Sequence, residues 1–206
     1  TKHALKTGAT FDFVPFQAHD FSFRGSSSLQ DSALSGSAHL TSFLGTDTVP
    51  AIDMVEDYYN ANAAQDPVGF SVPATEHSVM CMGMEEGELA TFKRLINEIY
   101  PAGIVSIVSD TWDFWQVVTE FLSVLKDDVL AREGKVVIRP DSGDPVKIVC
   151  GDADAPEDSP ECKGAIQCLW DIFGGTETET GYKLLDERIG LIYGDSITLQ
   201  RAQLIL

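Results

Sequence analysis

Gly103-Ile104-Val105-Ser106-Ile107-Val108-Ser109-Asp110, a helix-patterned stretch over 114–132, and then Lys135-Val136-Val137-Ile138-Arg139-Pro140-Asp141 decide the fold class. Two short β-branched runs, each ending in polar residues, flank a segment in which Val118, Phe121, Leu122 and Leu125 form an apolar stripe at helical spacing. Strand, helix, strand in that order predicts parallel pairing through a right-handed crossover. Outward from this unit the same alternation continues. Further strands are expected at 41–45, 69–73 and 190–193, and helices at 28–39, 49–60, 86–100, 162–173 and from Ile197 onward. The reading is therefore α/β, either a barrel or a doubly wound sheet. Two stretches break the rhythm: 151–161, rich in Asp, Pro and Glu, and 174–181, with three Thr and two Glu, both expected as solvated surface insertions.

Composition narrows the function classes. With 206 residues, 44% of them hydrophobic, the chain can bury an ordinary core, which excludes disorder as its main state. A net charge of −18 and the absence of any Lys/Arg-rich segment argue against a nucleic-acid partner. No apolar run approaches the ~20 residues that a membrane helix needs. Cys81, Cys150, Cys162 and Cys168 form no CxxC pair and have no histidine at ligand spacing, so neither a zinc site nor a disulfide framework is expected, and reduced thiols in a cytoplasm are the better reading. The start at Thr1 and the uncapped apolar finish Leu204-Ile205-Leu206 suggest a piece of a longer protein.

Polar residues gather at one end of the expected strands. Gly45-Thr46-Asp47, Thr75-Glu76-His77, Ser109-Asp110, Arg139-Pro140-Asp141 and Gly194-Asp195 each fall at or just past a strand's C-terminal end, the edge where α/β proteins build their sites. Asp, Ser and Thr there serve equally well as helix caps. Arg139 and His77 do not. In Arg139-Pro140-Asp141-Ser142-Gly143-Asp144-Pro145, a guanidinium suited to phosphate stands beside carboxylates suited to a sugar diol or to Mg2+, a combination that fits a phosphorylated sugar. An ordinary turn, with Arg139 ion-paired to Asp141, is the alternative. Near the N-terminus, His19-Asp20-Phe21-Ser22-Phe23-Arg24-Gly25 offers aromatic faces for a planar ring and a cation for an anion, although Phe as core filler explains it too. The chain carries no Walker A, GxGxxG, HExxH or GxSxG signature.

In order and approximate spacing, the 19–25 block, Gly45-Thr46-Asp47-Thr48-Val49, Ser71-Val72-Pro73-Ala74-Thr75-Glu76-His77-Ser78, Val108-Ser109-Asp110 with Asp113, and Ile138-Arg139-Pro140-Asp141-Ser142-Gly143 resemble the nicotinamide phosphoribosyltransferase family, from about Phe11 to the last residue. The resemblance implies a type II phosphoribosyltransferase. In fold terms it implies that 1–206 is the central part of an irregular (β/α) barrel domain, partial here, with 151–161 as an acidic surface insertion. Such enzymes work as homodimers with shared sites and join nicotinamide to 5-phosphoribosyl pyrophosphate with Mg2+. By position, Phe21 would stack on the pyridine ring, Asp47 would accept from the carboxamide, and Ser109 would line the same pocket. Arg24 and Arg139 would face phosphate or pyrophosphate. Asp141, Gly194 and Asp195 would hold the ribose, Asp113 would join the polar rim, and His77 would be the histidine phosphorylated by ATP. The family's glycine-rich phosphate loop and its following arginine fall beyond Leu206, and the second aromatic of the base pocket falls in an N-terminal region of the partner subunit. Two alternatives stand beside this expectation. A nicotinate phosphoribosyltransferase is disfavoured by Asp47, because a carboxylate repels a nicotinate carboxylate. A non-catalytic binding protein on the same fold is disfavoured by the joint presence of His77, Arg139, Asp141 and Asp195.

Overall fold

The computed structural model describes residues 2–8 and 10–206. The chain divides into two compact units, one running to Ser71 and one running from Val72 to Leu206.

The first unit is built around a short parallel pair, β1 (His19–Asp20) and β2 (Gly45–Thr46), with Phe70 bridged in parallel alongside Gly45. Helices Leu29–Leu40 and Pro50–Tyr59 pack on it. Ser28 caps the first by accepting the Asp31 amide at 3.1 Å, and Asn60 ends the second in the left-handed region at φ 57°. Gly36 lets the two helices meet, since a Cβ there would lie 2.7 Å from the Ala51 Cβ. The expected strands 41–45 and 69–73 shrink to β2 and a single bridge, and the pairing of His19–Asp20 is an addition to the sequence reading.

The second unit carries the strand-helix-strand core. Strands β3 (Ala102–Val108), β4 (Glu133–Arg139) and, later in the chain, β7 (Ile189–Leu191) run parallel in that order. Val105 faces Val136 and Ile107 faces Ile138 in register, and Val136 in turn faces Ile189. All five are essentially inaccessible, as expected of a parallel sheet covered on both faces. On the free side of β3, Ser106 exchanges backbone hydrogen bonds of 2.9 Å with Pro73 and Thr75, which adds a short fourth lane. Phe92, Leu95 and Ile96 pack against the sheet, as do Val117, Val118, Leu122 and Val129 of the crossover and Leu169 and Phe173 of helix Ala165–Phe173. The core also holds one carboxyl, Glu88, at 1% exposure. Near the N-terminal end of β3, buried Arg132 donates to the Ile96, Tyr100 and Gly103 carbonyls.

Several expected elements are interrupted for local reasons. The crossover is not one helix over 114–132: it runs as Phe114–Gln116, a wide turn Val117–Phe121, Leu122–Val124 and Lys126–Leu130. Thr119 and Ser123 hydroxyls donate back to the carbonyls of Trp115 and Thr119, a competition that bends helices. Gly164, at φ 81°, splits the expected 162–173 helix. The stretch 174–181 is not wholly loop, because β5 (Gly175–Glu177) pairs antiparallel with β6 (Lys183–Leu185) as an exposed hairpin. The 151–161 segment is a closed loop with a fixed neck: the Asp152 amide donates to the Glu161 carbonyl at 2.8 Å, and a Cβ on Gly151 would lie 2.3 Å from the Cys162 carbonyl oxygen. Helix and parallel sheet together make the fold α/β, with no closed sheet among the described residues. No helix among them is long and apolar enough to cross a membrane.

Candidate active site

In the first unit the polar cluster grows from the ends of β1 and β2. The Asp47 amide donates to the Asp20 carbonyl at 2.9 Å, which brings Asp47 level with the residues following β1. Phe21, Phe23, Arg24 and Asp47 line one concavity. The His19 ring stacks on Phe21 with centroids 4.5 Å apart, and its Nε2 lies 3.3 Å from Asp47 Oδ2. The Ser71 hydroxyl donates to the other Asp47 oxygen. Gly45 makes room for this, since a Cβ there would lie 2.7 Å from His19 Nδ1. Burial pushes the Asp20 carboxyl up, but hydrogen bonds from Ser22 and Thr48 and the charge of His39 hold it below its ordinary value. The sequence reading overlooked His19 and Ser71 as partners of Asp47. His19 stood inside the quoted 19–25 block, whereas nothing in the sequence pairs it with a residue 28 positions away.

In the second unit the register of the sheet sets the site. Val108 on β3 faces Arg139 on β4, so Asp110 and Asp141, each two residues further on, come side by side. His77 completes the cluster: its Nε2 lies 3.2 Å from Asp110 Oδ1 and 3.5 Å from Asp141 Oδ1. Asp110 Oδ2 accepts the Asp141 backbone amide at 2.9 Å. Burial opposes ionisation of Asp110, but hydrogen bonds from Ser142 and the Asp141 amide, with the nearby imidazole, hold its carboxyl below the usual range. Asp141 is pushed the other way, by burial and by Asp110 itself, against the pull of His77 and Arg139. Arg139 is 6% exposed, donates to the Thr75 carbonyl at 3.0 Å and lies 3.7 Å from Glu76 Oε2.

Gly194 closes over these two residues. A Cβ at 194 would lie 3.0 Å from the Asp141 Cβ and 3.7 Å from the Arg139 Cγ, and the Gly194 amide donates to the Pro140 carbonyl at 2.9 Å. Tyr193 pins the loop, its hydroxyl donating to the Ser142 carbonyl at 2.7 Å. Burial, with Asp110, Asp141, Asp195 and Asp144 around it, pushes that hydroxyl up to about 12. The remaining expected site residues have local partners of their own. The Ser109 hydroxyl is fully buried and donates to the Ile107 carbonyl at 2.7 Å. Asp113 caps the turn that begins at Phe114, accepting from the Trp115 and Gln116 amides, the capping alternative for an acidic residue there. Asp195 is exposed and accepts from the Ser196 hydroxyl at 2.8 Å.

Two residues of this cluster went unassigned in the sequence. Asp110 was visible among the strand-end polar groups, but its partnership with His77 spans 33 positions. Tyr193 carried no signal. Chemically, two carboxylates at Nε2 favour the tautomer with the proton on that nitrogen over the one with it on Nδ1, and in that tautomer the lone pair lies on Nδ1, the arrangement that makes a histidine a nucleophile or a proton acceptor. His77, Asp110 and Asp141 also present three ligand atoms within 4.8 Å of one another, whereas the sequence had offered only the carboxylates of the 139–145 stretch to a metal ion.

Comparison with known proteins finds relatives that match nearly all of the chain. The chain is 65% identical over its whole length to a nicotinamide phosphoribosyltransferase of Acinetobacter baylyi, covering 41% of that protein. It is 41% identical over its whole length to one of Mycoplasma pneumoniae, covering 42%, and 36% identical over 94% of its length to one of Xanthomonas campestris pv. campestris, covering 38%. The chain thus spans about two fifths of the length of these curated relatives. The family model described as nicotinate phosphoribosyltransferase (NAPRTase) matches residues 16–206, nearly all of the sequence, and the chain belongs to that family.

Proposed function

We propose that this chain is the central part of a nicotinamide phosphoribosyltransferase, which forms a bond between the pyridine nitrogen of nicotinamide and the anomeric carbon of 5-phosphoribosyl pyrophosphate as the bond to pyrophosphate breaks. The observation that carries the choice of base is the Asp47 carboxylate at a concavity shared with Phe21, Phe23 and Arg24. A carboxylate there accepts from a carboxamide NH2 and repels the carboxylate of nicotinate, and Phe21 offers its ring for stacking. The names of the relatives point the same way.

Such a displacement passes through an oxocarbenium-like state and needs positioning and charge neutralisation more than a strong base. In the first unit Arg24 serves phosphate. In the second, Arg139 serves phosphate while Asp141 and Asp195 hold the ribose hydroxyls, with Gly194 shaping the floor above Asp141; Asp113 contributes charge at the rim. His77, with its proton held at Nε2 by Asp110 and Asp141, presents Nδ1 to the terminal phosphoryl group of ATP and couples ATP hydrolysis to synthesis. Mg2+ entering with the pyrophosphate substrate suits the paired carboxylates of Asp110 and Asp141, and when bound it would offset the charge of the departing pyrophosphate. The same reading takes the two units as parts of an irregular barrel in a cytoplasmic homodimer with shared sites.

The test is the specificity constant of the full-length protein for each base. Nicotinamide is expected to be strongly preferred, and Asp47→Ala to lose about 1–3 kcal/mol of that preference, the worth of a hydrogen bond to a charged group. Equal or better turnover of nicotinate by the parent protein would overturn the assignment.

A further inference from the structure

The geometry points to a second use of the His77 cluster: we propose that His77 Nε2, Asp110 Oδ1 and Asp141 Oδ1 form a binding site for a first-row divalent transition ion, and that its occupation switches off phosphoryl acceptance by His77. The ligand part stands on the cluster alone; the switching part rests on the phosphoryl-acceptor reading above.

The spacing about the imidazole nitrogen is close to that of ligands sharing one ion. With metal–ligand bonds of roughly 2.1 Å, neighbouring ligand atoms lie about 3.0 Å apart in an octahedral site and about 3.4 Å apart in a tetrahedral one. The separations from His77 Nε2 to the two carboxylate oxygens are 3.2 and 3.5 Å, close to those between neighbouring ligands of one ion. All three ligand atoms fall within 4.8 Å of one another. The outer support is also present. Asp110 is held by the Asp141 amide on Oδ2, which leaves Oδ1 directed at the imidazole, and its side chain is only 5% exposed. His77 is 42% exposed, which leaves open coordination positions and a route of entry.

Ligand chemistry selects the ion. Mg2+ is a hard ion that takes oxygen and keeps its water, whereas an imidazole with two carboxylates favours Mn2+, Fe2+, Co2+ or Zn2+. Coordination through Nε2 requires the lone pair on that nitrogen, so the imidazole proton moves to Nδ1. The nitrogen that would attack a phosphoryl group then carries a proton instead of a lone pair, and Asp141 is withdrawn from other ligands. One ion therefore changes two functions of the site.

Mn2+ is the appropriate probe, because it binds thiols poorly and the four cysteines will not compete. In the substrate-free full-length protein, loss of the six-line aqueous Mn2+ resonance should report one tight site per chain. His77→Gln and Asp110→Asn should each weaken it at least tenfold. Asp152→Asn, in the exposed acidic loop, should leave it unchanged. Labelling of His77 from ATP at a fixed Mg2+ concentration should fall as free Mn2+ rises, half-maximally at the free Mn2+ that half-saturates the site when the resonance titration is repeated at that same Mg2+ concentration. Unaltered Mn2+ binding in His77→Gln, displacement by an equal concentration of Mg2+, or no binding at all would overturn the site. Binding that leaves labelling untouched would overturn the switch. Absence of label under Mg2+ alone would instead defeat the phosphoryl-acceptor reading and the switch built on it, while the resonance measurement would still decide the site.

Discussion

Replacing Glu88 by glutamine should make the protein more stable above neutral pH and remove part of its pH dependence. Glu88 opens the helix Glu88–Arg94, is 1% exposed, and its Oε1 has no hydrogen-bond partner among the described residues. Burial first, then the negative charges of Asp113, Glu85 and Asp110, raise its carboxyl from 4.5 to about 7. In the unfolded chain the proton leaves near the ordinary value, so between pH 4.5 and about 7 the folded state binds more protons and stability falls as pH rises. At about 1.4 kcal/mol per pH unit the loss is bounded at about 3.5 kcal/mol, and because Glu85 and Asp113 are exposed and screened we expect about 1–2 kcal/mol. Glutamine keeps the shape of the protonated acid and has no proton to lose. Thermal melts of the full-length parent and of Glu88→Gln from pH 4.5 to 8 should therefore diverge, with the variant melting a few degrees higher at pH 8 and the two nearly coinciding at the acid end. Parallel curves, or a variant less stable at pH 8, would refute the reasoning.

Arg139→Ala and Asp141→Ala should each impair use of 5-phosphoribosyl pyrophosphate by tenfold or more in steady-state kinetics; normal kinetics with a lowered melting temperature would assign both residues to structure alone. Gly194→Ala places a methyl 3.0 Å from the Asp141 Cβ and should raise KM for the same substrate several-fold with little change in melting temperature. Tyr193→Phe removes the hydroxyl bonded to the Ser142 and Gly143 carbonyls and should cost about 1 kcal/mol, visible as faster amide exchange in the 141–143 loop.

The strand-helix-strand core was legible because its information is local. Val105, Ile107, Val136 and Ile138 are β-branched, adjacent and bounded by polar ends, and they form the centre of the observed sheet. The crossover was legible as helical but not as interrupted, because its breaks come from Thr119 and Ser123 hydroxyls bonding backward, and an apolar stripe is blind to this. The same limit governed the hairpin at β5 and β6, whose exposed residues leave no burial pattern to read. At the site, strand ends marked Asp47, His77, Arg139 and Asp141, and the block resemblance gave His77 its expected role. Asp110 and Ser71 acquire their roles only through tertiary pairing, across 33 and 24 positions, and no single-sequence periodicity carries such distances. Asp113 shows the converse, a carboxylate that the resemblance put at the polar rim and whose hydrogen bonds cap the turn at Phe114.

The pinned neck of the acidic loop makes its length independent of everything beneath it. Gly151 and Gly164 approach so closely that a Cβ on Gly164 would lie 2.3 Å from the Gly151 nitrogen, while none of the residues between them is buried. A loop closed at its base costs little more when lengthened, since closure entropy grows only with the logarithm of its length. The crown at 153–158 is thus a natural port for an affinity tag, a fluorophore or a tethering sequence, whereas the two glycines that close the port tolerate no side chain.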